Sequence, residues 1–399
     1  MSFQDACRFL FPRAAGGTKF NLGPTEALLD SLGHPERHFP VVHIGGTNGK
    51  GSTVALVASA LRAGGRRVGV YTSPHLVSVR ERMMVDGAPI SEDAFAMWTE
   101  RLRPVVESTG ASFFEATTAI ACADFAARGV DVAVVEVGLG GRLDSTNVLQ
   151  PVVTAVTKIA REHTEYLGED LAGIAREKAG IAKPGVPFIT GEPDDALAAE
   201  LIREAERRGA SPAVRVLGPR AGAAPPHRLG LIGRHQAFNA GVAAGVLDHL
   251  PSELRVTPEA RRQGFQACRV PGRFDMRGRW IFDVAHNPDG MAALVDTLDL
   301  VAPPRPIHVL VSVLGDKDWR SMLQLLAPHV DAVLLTVAPS APPNRRWEPE
   351  LVEGEFEVER DFDIALARVQ SVSATVLVTG SFHTVGDALD RLPGFRPLG

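Results

Sequence analysis

Residues 45–53 read Gly-Gly-Thr-Asn-Gly-Lys-Gly-Ser-Thr. Glycines allow a backbone to turn several N–H groups toward one point, and Lys50 brings a mobile positive charge. A helix starting here adds the partial positive charge of its N-terminus, so the stretch has the chemistry of a phosphate cradle. An apolar run, Val41 to Ile44, precedes it, and an apolar-periodic stretch, Val54 to Leu61, follows: strand, loop, helix. The general pattern G-x-x-x-x-G-K-[ST] is met imperfectly. Ile44 stands at its first glycine and Gly51 at its hydroxyl, and the hydroxyls come later, at Ser52 and Thr53. The alternative is a glycine-rich turn with a surface lysine.

Other polar residues fall where strands are expected to end. Ser73 follows the run Arg67–Tyr71, Glu136 closes the nearly continuous apolar run Asp131–Val137, and His163 follows the strand at 152–156. Ligands of open α/β sheets gather beyond the carboxyl ends of the strands. A carboxylate there, near a phosphate loop, suits Mg²⁺, which takes oxygen donors and substrate phosphates. Glu136 equally suits a cap or an ion pair, and His163 a surface or core position. Lys178, in a helix expected over about 171–182, reads by itself as solvated or paired with Glu177.

The elements that must position these residues form two series. Through residue 269 strands alternate with helices at 91–107, 115–128, 194–208 and 235–250, with a further strand at 187–190. Pro74 ends the strand before it. The pattern breaks at Pro271-Gly272-Arg273. It restarts with strands at 280–283, 306–312, 331–336 and 375–379 and helices at 288–299, 319–328, 361–370 and 383–391. The stretch 338–349 holds four prolines and reads as a long loop. Two α/β domains are expected, 1–269 carrying the loop and a smaller one over 270–399; a chain of 399 residues exceeds one ordinary core.

Composition narrows the class. An apolar fraction of 45% and a charged fraction of 22% are those of a globular protein, and a net charge of −5 without a long basic run argues against nucleic-acid binding. Cys7, Cys122 and Cys268 have neither zinc-site spacing nor a disulfide framework, which suits a reducing compartment. No apolar run reaches membrane-spanning length and the N-terminus lacks signal-peptide character, so a cytoplasmic monomer without a membrane partner is expected.

The variant Gly46-Thr47-Asn48-Gly49-Lys50-Gly51-Ser52, with His43 upstream, resembles the folylpolyglutamate synthase / dihydrofolate synthase family, which belongs with the Mur ligases. The resemblance extends from about residue 18 to 390. It runs through Ser73-Pro74-His75-Leu76 with Glu81-Arg82, Phe114-Glu115, and Glu136-Val137-Gly138-Leu139-Gly140-Gly141-Arg142-Leu143-Asp144-Ser145-Thr146-Asn147. It continues through His163, Leu167-Gly168 and Ile174-Ala175-Arg176-Glu177-Lys178-Ala179-Gly180-Ile181, then His235-Gln236 with Asn239-Ala240. In the second half it covers Pro271-Gly272-Arg273, Asp283 with Ala285-His286-Asn287-Pro288, and Asp316-Lys317-Asp318. The chain departs from the family at Glu162 (usually Asp), Asp275 (usually Glu), Val284 (usually Gly) and His383 (usually Tyr, after Gly380-Ser381).

The resemblance implies a P-loop Mur-ligase-like central domain with a smaller Rossmann-like α/β C-terminal domain. It implies an ATP-dependent ligase that joins L-glutamate to a pteroate or folate carboxylate through an acyl phosphate, and a chain doing both the dihydrofolate synthase and the folylpolyglutamate synthase reaction. The implied nucleotide site is Gly46, Thr47, Asn48, Gly49, Lys50, Gly51, Ser52, Asn239 near the adenine, Arg273, and Asp283 toward the ribose. Two Mg²⁺ ions are implied, one on Ser73 and Glu136, the other set by Glu136, His163 and Lys178 carried as a carbamate. Lys50, Lys178, Arg273 and His286 are the implied catalytic groups, and Arg82 and Ser381 the implied contacts at the glutamate end. Two other functions are kept open. One is a Mur-type ligase on another substrate, disfavoured by Gly51-Ser52 where a hydroxyl run is common. The other is a nucleotide-binding regulator without turnover, disfavoured by the presence of Lys50, Glu136, His163 and Lys178.

Overall fold

In a computed structural model the chain is described over residues 1–14, 21–161, 164–216, 229–349, 354–395 and 397. His163 and Glu162 thus lie outside the described residues. Two compact units emerge. The first comprises residues 1–73, 79–229 and 237–268, and the second residues 74–78, 230–236 and 269–399. The sequence break near 270 therefore marks only the main crossing. Two short excursions, 74–78 and 230–236, also belong to the second unit, and no local periodicity announces them.

The first unit is built on an eight-stranded sheet. Its strands are β1 (Val41–Gly45), β2 (Val68–Tyr71), β3 (Met83–Val85), β4 (Ala88–Pro89), β5 (Val132–Glu136), β6 (Pro151–Val156), β7 (Phe188–Thr190) and β8 (Ala213–Arg215), in the order β4-β3-β2-β5-β1-β6-β7-β8. From β2 to β8 all pairings are parallel, while β3 and β4 add an antiparallel edge. Every residue of β1 and β5 is buried, the signature of strands covered on both faces. β1 sits between β5 and β6, so the chain leaves it at the point where the strand order reverses, the usual place for a ligand crevice.

The flanking helices start where the sequence provides caps. Ser91 accepts from the Ala94 N–H, and Ser112 and Glu115 form a capping box that opens the helix Phe113–Ala127 two residues before its expected start. The helix Pro258–Ala267 lies against the loop-following helix Lys50–Ala63 with almost no clearance. A Cβ on Gly264 would sit 2.5 Å from the Ala60 backbone, and the Ser59 hydroxyl donates to the Gly264 carbonyl at 2.8 Å.

The second unit carries a six-stranded sheet of β9 (Asp275–Arg277), β10 (Trp280–Phe282), β11 (Ile307–Val311), β12 (Ala332–Leu335), β13 (Glu357–Val358) and β14 (Thr375–Thr379), ordered β13-β12-β11-β14-β10-β9 and parallel except for β9. The short strands β3, β4, β8, β9 and β13 escape sequence reading: two or three residues cannot establish an alternation, and none of the five is buried throughout, as β7 and β10 are. Segment 74–78 is held here by close packing, since a Cβ on Gly386 would lie 2.0 Å from the Leu76 carbonyl oxygen. The proline-rich stretch 338–349 is ordered by Trp347, which is buried and donates its indole N–H to the Thr336 carbonyl at 2.8 Å.

No helix among the described residues is long and apolar enough to cross a membrane, and none of the three cysteines is in a disulfide. The helix contact at Gly264 yields a test. Alanine is a better helix former by about 1 kcal/mol, but here its methyl meets backbone rather than a flexible side chain. Gly264→Ala should therefore destabilise the protein by about 1–3 kcal/mol in urea unfolding; a stabilised variant would show that the two helices can separate freely.

Candidate functional site

The register of the first sheet decides which polar groups meet. Ile44 pairs with Glu136 and Gly45 with Val156, while Tyr71 pairs with Val135. The loop after β1, Ser73 after β2, Glu136 at the end of β5 and Thr157 after β6 therefore emerge on one edge. The Ser73 N–H donates to Glu136 Oε2 at 3.2 Å, and Glu136 is 3% exposed. The turn after Glu136 is shaped by Asp144, which accepts from the Leu139 N–H at 2.8 Å, the Thr146 N–H at 3.0 Å and the Thr146 hydroxyl at 2.5 Å. A Cβ on Gly138 would lie 3.2 Å from Asp144 Oδ2 and 3.7 Å from Ser73 Oγ, so oxygen donors crowd this corner.

The glycine loop is held from three sides. Gly46 has φ +135°, and a Cβ there would fall 1.9 Å from the Thr157 hydroxyl, which donates to the Asn48 carbonyl at 2.8 Å. Gly49 has φ +93° and caps the helix Lys50–Ala63. A Cβ on it would sit 2.2 Å from Asn239 Oδ1. Both positions combine a left-handed backbone with a close neighbour, so only glycine fits. The Gly46 carbonyl accepts from Lys178 Nζ at 2.9 Å. Lys178 is 3% exposed, which removes the reading of it as a solvated helix lysine, and Glu177 pairs instead with Arg142 at 2.9 Å.

Not every expected loop residue faces outward. The Thr47 N–H donates to the Lys158 carbonyl at 2.8 Å, and its hydroxyl exchanges hydrogen bonds of 3.1 Å with the Ala160 carbonyl and N–H. Thr47 is thus a strut of the loop. The donors that a helix N-terminus leaves open are those of its first turn, around Lys50, Gly51 and Ser52. Lys50 Nζ rests on the Thr47 carbonyl at 2.9 Å. Ser52 and Thr53 are both buried, at 3% and 0% exposure.

Arg82 is 5% exposed, with its guanidinium 5.0 Å from the centre of the Phe113 ring and 5.7 Å from that of Phe114. Burial pulls it below the usual arginine range, opposed by Tyr71 and then by the carboxylates of Glu136 and Glu81. Arg82 therefore belongs electrostatically to the Glu136 corner.

In the second unit Arg273 and His286 share one ring. The Arg273 guanidinium lies 5.1 Å from the Phe382 centroid and the His286 ring 5.5 Å from it, while His286 Nδ1 contacts the Val284 carbonyl at 2.8 Å. Asp283 accepts from the Phe274 N–H at 2.8 Å and the Ala285 N–H at 2.9 Å, so both its oxygens brace the turn that carries Arg273. Burial pushes its carboxyl up, opposed first by the Arg273 charge. Ser381 is 2% exposed and caps the helix Phe382–Arg391, accepting from the Thr384 N–H at 3.1 Å. Its hydroxyl has a structural use that its motif position does not reveal. His383, at the departing tyrosine position, holds Ser340 Oγ at 3.0 Å through Nδ1.

Sequence reasoning passed over Thr157 and Glu192, which act on backbone groups far along the chain, a role with no periodic signal; Asp144 and His43 entered it only as members of the family motifs.

The donor set suits a metal–nucleotide pair. Lys50 and the first-turn N–H groups supply positive charge, and Glu136 and Ser73 supply the hard oxygens that Mg²⁺ prefers. Among the described residues no group of three or more His, Cys, Asp and Glu is placed to hold a metal; such a group would need His163 or substrate oxygens.

Comparison with known proteins agrees with this arrangement. The Mur ligase middle domain matches residues 44–216 and the Mur ligase glutamate ligase domain residues 272–382. The fold is thus of the Mur ligase class. A dihydrofolate synthase/folylpolyglutamate synthase of Bacillus subtilis is 32% identical, over 98% of this chain and 99% of that protein. A probable bifunctional folylpolyglutamate synthase/dihydropteroate synthase of Halobacterium salinarum is 35% identical over 98% of this chain, which spans about half (52%) of that relative's length. Among solved structures, Escherichia coli FolC in complex with DHPP and ADP superposes with a TM-score of 0.86 at 31% identity, covering 98% of this chain and 97% of the other. The bifunctional folylpolyglutamate synthase/dihydrofolate synthase of Yersinia pestis, complexed with AMPPNP and Mn, gives 0.86 at 30% identity and 98% of both chains. The chain belongs to the folylpolyglutamate synthase / dihydrofolate synthase family.

The buried histidine of β1 carries a pH prediction. His43 is 0% exposed, contacts Thr146 Oγ1 at 2.7 Å through Nε2, and has no hydrogen-bond partner at Nδ1. Burial, helped by the Lys183 charge, pushes its pKa from 6.5 down to about 3. Above pH 6.5 both folded and unfolded chains keep this ring neutral. Below it the unfolded chain takes a proton that the folded one refuses. Stability should therefore fall with acidification by about 1.4 kcal/mol per pH unit from this residue alone. Urea unfolding of the protein and of His43→Gln between pH 7 and 4.5 should show a shallower slope in the variant; equal slopes would exclude the effect.

Proposed function

We propose that this chain joins L-glutamate to the carboxylate of dihydropteroate and of reduced folates at the expense of ATP, through an acyl phosphate. The observation that carries the proposal is the glycine loop with Lys50 and buried Lys178 on the same sheet edge as the Glu136–Ser73 corner. A carboxylate is inert to amines because it lacks a leaving group. Phosphorylation supplies one, and the glutamate amine then attacks the acyl carbon and expels phosphate. Each step concentrates charge on oxygen, so positioning and charge stabilisation make up most of the catalysis.

The residue roles follow from the resemblance and the geometry together. The first turn of the helix Lys50–Ala63, with Lys50, holds the β- and γ-phosphates, and Asn239, pressed on Gly49, places the adenine side. Mg²⁺ bound by Ser73 and Glu136 would neutralise charge on the transferring group. A second ion is assigned to Glu136, His163 and Lys178 as a carbamate; the near-complete burial of Lys178 beside the loop speaks against a solvated ammonium. Arg273 and His286, set on Phe382, keep the phosphate-facing role. Asp283 supports them by bracing their turn, and its remaining acceptor capacity is assigned to the ribose. Arg82 is favoured over Ser381 at the glutamate end, because the Ser381 hydroxyl is engaged as a helix cap. The double activity is supported by the Bacillus subtilis relative, matched over nearly its whole length, which carries both names.

ADP release with Mg-ATP and L-glutamate, using dihydropteroate in one assay and tetrahydrofolate in the other, should be seen with both. Release with one alone would reduce the chain to a single activity, and release with neither would refute the folate-ligase assignment and favour a Mur-type ligase on another substrate or a regulator without turnover. Lys178→Ala and Glu136→Gln should each lower turnover by about 10²-fold or more. Near-normal turnover of Lys178→Ala at saturating Mg²⁺ would dismiss the carbamate, and unchanged Mg²⁺ dependence in Glu136→Gln would remove that carboxylate from the metal.

A further inference from the structure

The glycine loop does not hold itself. Its Thr47 and Asn48 are bonded to a strap, residues 157–160, that follows β6. The Thr157 N–H donates to the Gly45 carbonyl at 2.9 Å and its hydroxyl to the Asn48 carbonyl at 2.8 Å. The Thr47 N–H and hydroxyl engage Lys158 and Ala160, and Asn48 and Lys158 form an isolated β-bridge. The strap in turn is anchored by a charged residue. Glu192, just beyond β7, is 2% exposed and accepts from the Ile159 N–H through Oε2 at 2.6 Å. Its other oxygen accepts from the Asp194 N–H at 2.9 Å, and its own N–H donates to the Thr190 hydroxyl at 3.2 Å.

A carboxylate is an acceptor only, so it can take an N–H on each oxygen and repels neither. Burying one is costly unless its lone pairs are met, and hydrogen bonds to a charged acceptor are stronger than neutral ones. A carboxylate used solely to shape the turn after β7 would need only the Asp194 contact, which a serine or asparagine could supply. The bond to Ile159 reaches 33 residues back along the chain, to the middle of the strap. We infer that Glu192 is a positioning residue for nucleotide binding: it fixes the strap 157–160, and the strap fixes the loop Gly46–Gly49 against which the phosphates are placed. The inference rests on the proposed nucleotide site and touches neither substrate nor metal directly.

Glu192→Gln is the sharpest variant. It keeps shape and volume, but its amide NH₂ must face one of the two N–H groups, so one hydrogen bond is replaced by a donor–donor clash. Calorimetric titration with Mg-ADP should show about tenfold or weaker binding than the wild type. In steady state KM for ATP should rise while KM for L-glutamate stays constant, because only placement of the nucleotide is disturbed. Thr157→Val, which removes the strap's hydroxyl at nearly constant volume, should move the same two quantities in the same direction. Hydrogen exchange in the peptide containing Thr47 should quicken in both variants without nucleotide present, a readout independent of ligation.

If Glu192→Gln lowers the melting temperature but binds Mg-ADP as the wild type does, the residue merely stabilises the β7 turn and the inference is wrong. The wild type separates this from the broader proposal. Failure of the wild type to bind Mg-ADP overturns both, whereas ordinary wild-type binding with unchanged variants overturns only the role of Glu192.

Discussion

Parallel pairing of β1 with β5 on one side and β6 on the other is the constraint on which the first unit depends. Side chains in a strand alternate, and a one-residue slip would turn every one of them to the opposite face. With Ile44 opposite Glu136 and Gly45 opposite Val156, the glycine loop, the acidic corner and the strap all begin at the same level of the sheet. The burial of β1 and β5 on both faces secures that register, because any shift would move their apolar side chains out of well-filled positions.

The polar groups gathered at that level are costly to bury, and the structure meets the cost with short, specific hydrogen bonds. Glu136 takes the Ser73 N–H, Asp144 takes the turn after Glu136, Lys178 reaches the Gly46 carbonyl, and Glu192 takes the strap. Each of these bonds ties together segments that are distant in sequence or re-aims a turn. Such networks add little net stability, yet they select one arrangement among many, since a half-satisfied network is worse than an apolar one. A site that stabilises developing charge benefits from this rigidity, because dipoles already in place need not reorganise when phosphate is transferred. The second unit uses the same device on a smaller scale: Asp283 braces the turn carrying Arg273, and Phe382 collects Arg273 and His286 on one ring.

Much of this was legible in the chain because it rests on local patterns. The long apolar strands, the capped helices, the glycine-lysine loop and the break at Pro271-Gly272 follow from periodicity and backbone preference within a dozen residues. The departures arise at polar side chains, whose hydrogen-bond partners no periodicity fixes. Ser381 carries a motif position but spends its hydroxyl on a cap, Thr47 lies in the phosphate loop but faces the strap, and Asp283 turns its oxygens to backbone. The segments 74–78 and 230–236 fall inside the domain expected over 1–269, yet they pack with the second unit, because tertiary packing decides the membership of pieces so short.

By itself the sequence determined the α/β class, the order of its longer elements, the place of the loop and, through its motifs, the family. These depend on steric limits of the backbone and on the burial of apolar faces, both of which act over short stretches. Only the tertiary structure decided which polar atoms meet: that Lys178 is buried against Gly46, that Glu177 serves Arg142, that Thr157 and Glu192 support the loop. A hydrogen bond depends on distance and direction to a few tenths of an ångström, and those quantities exist only after the strands have been brought into register.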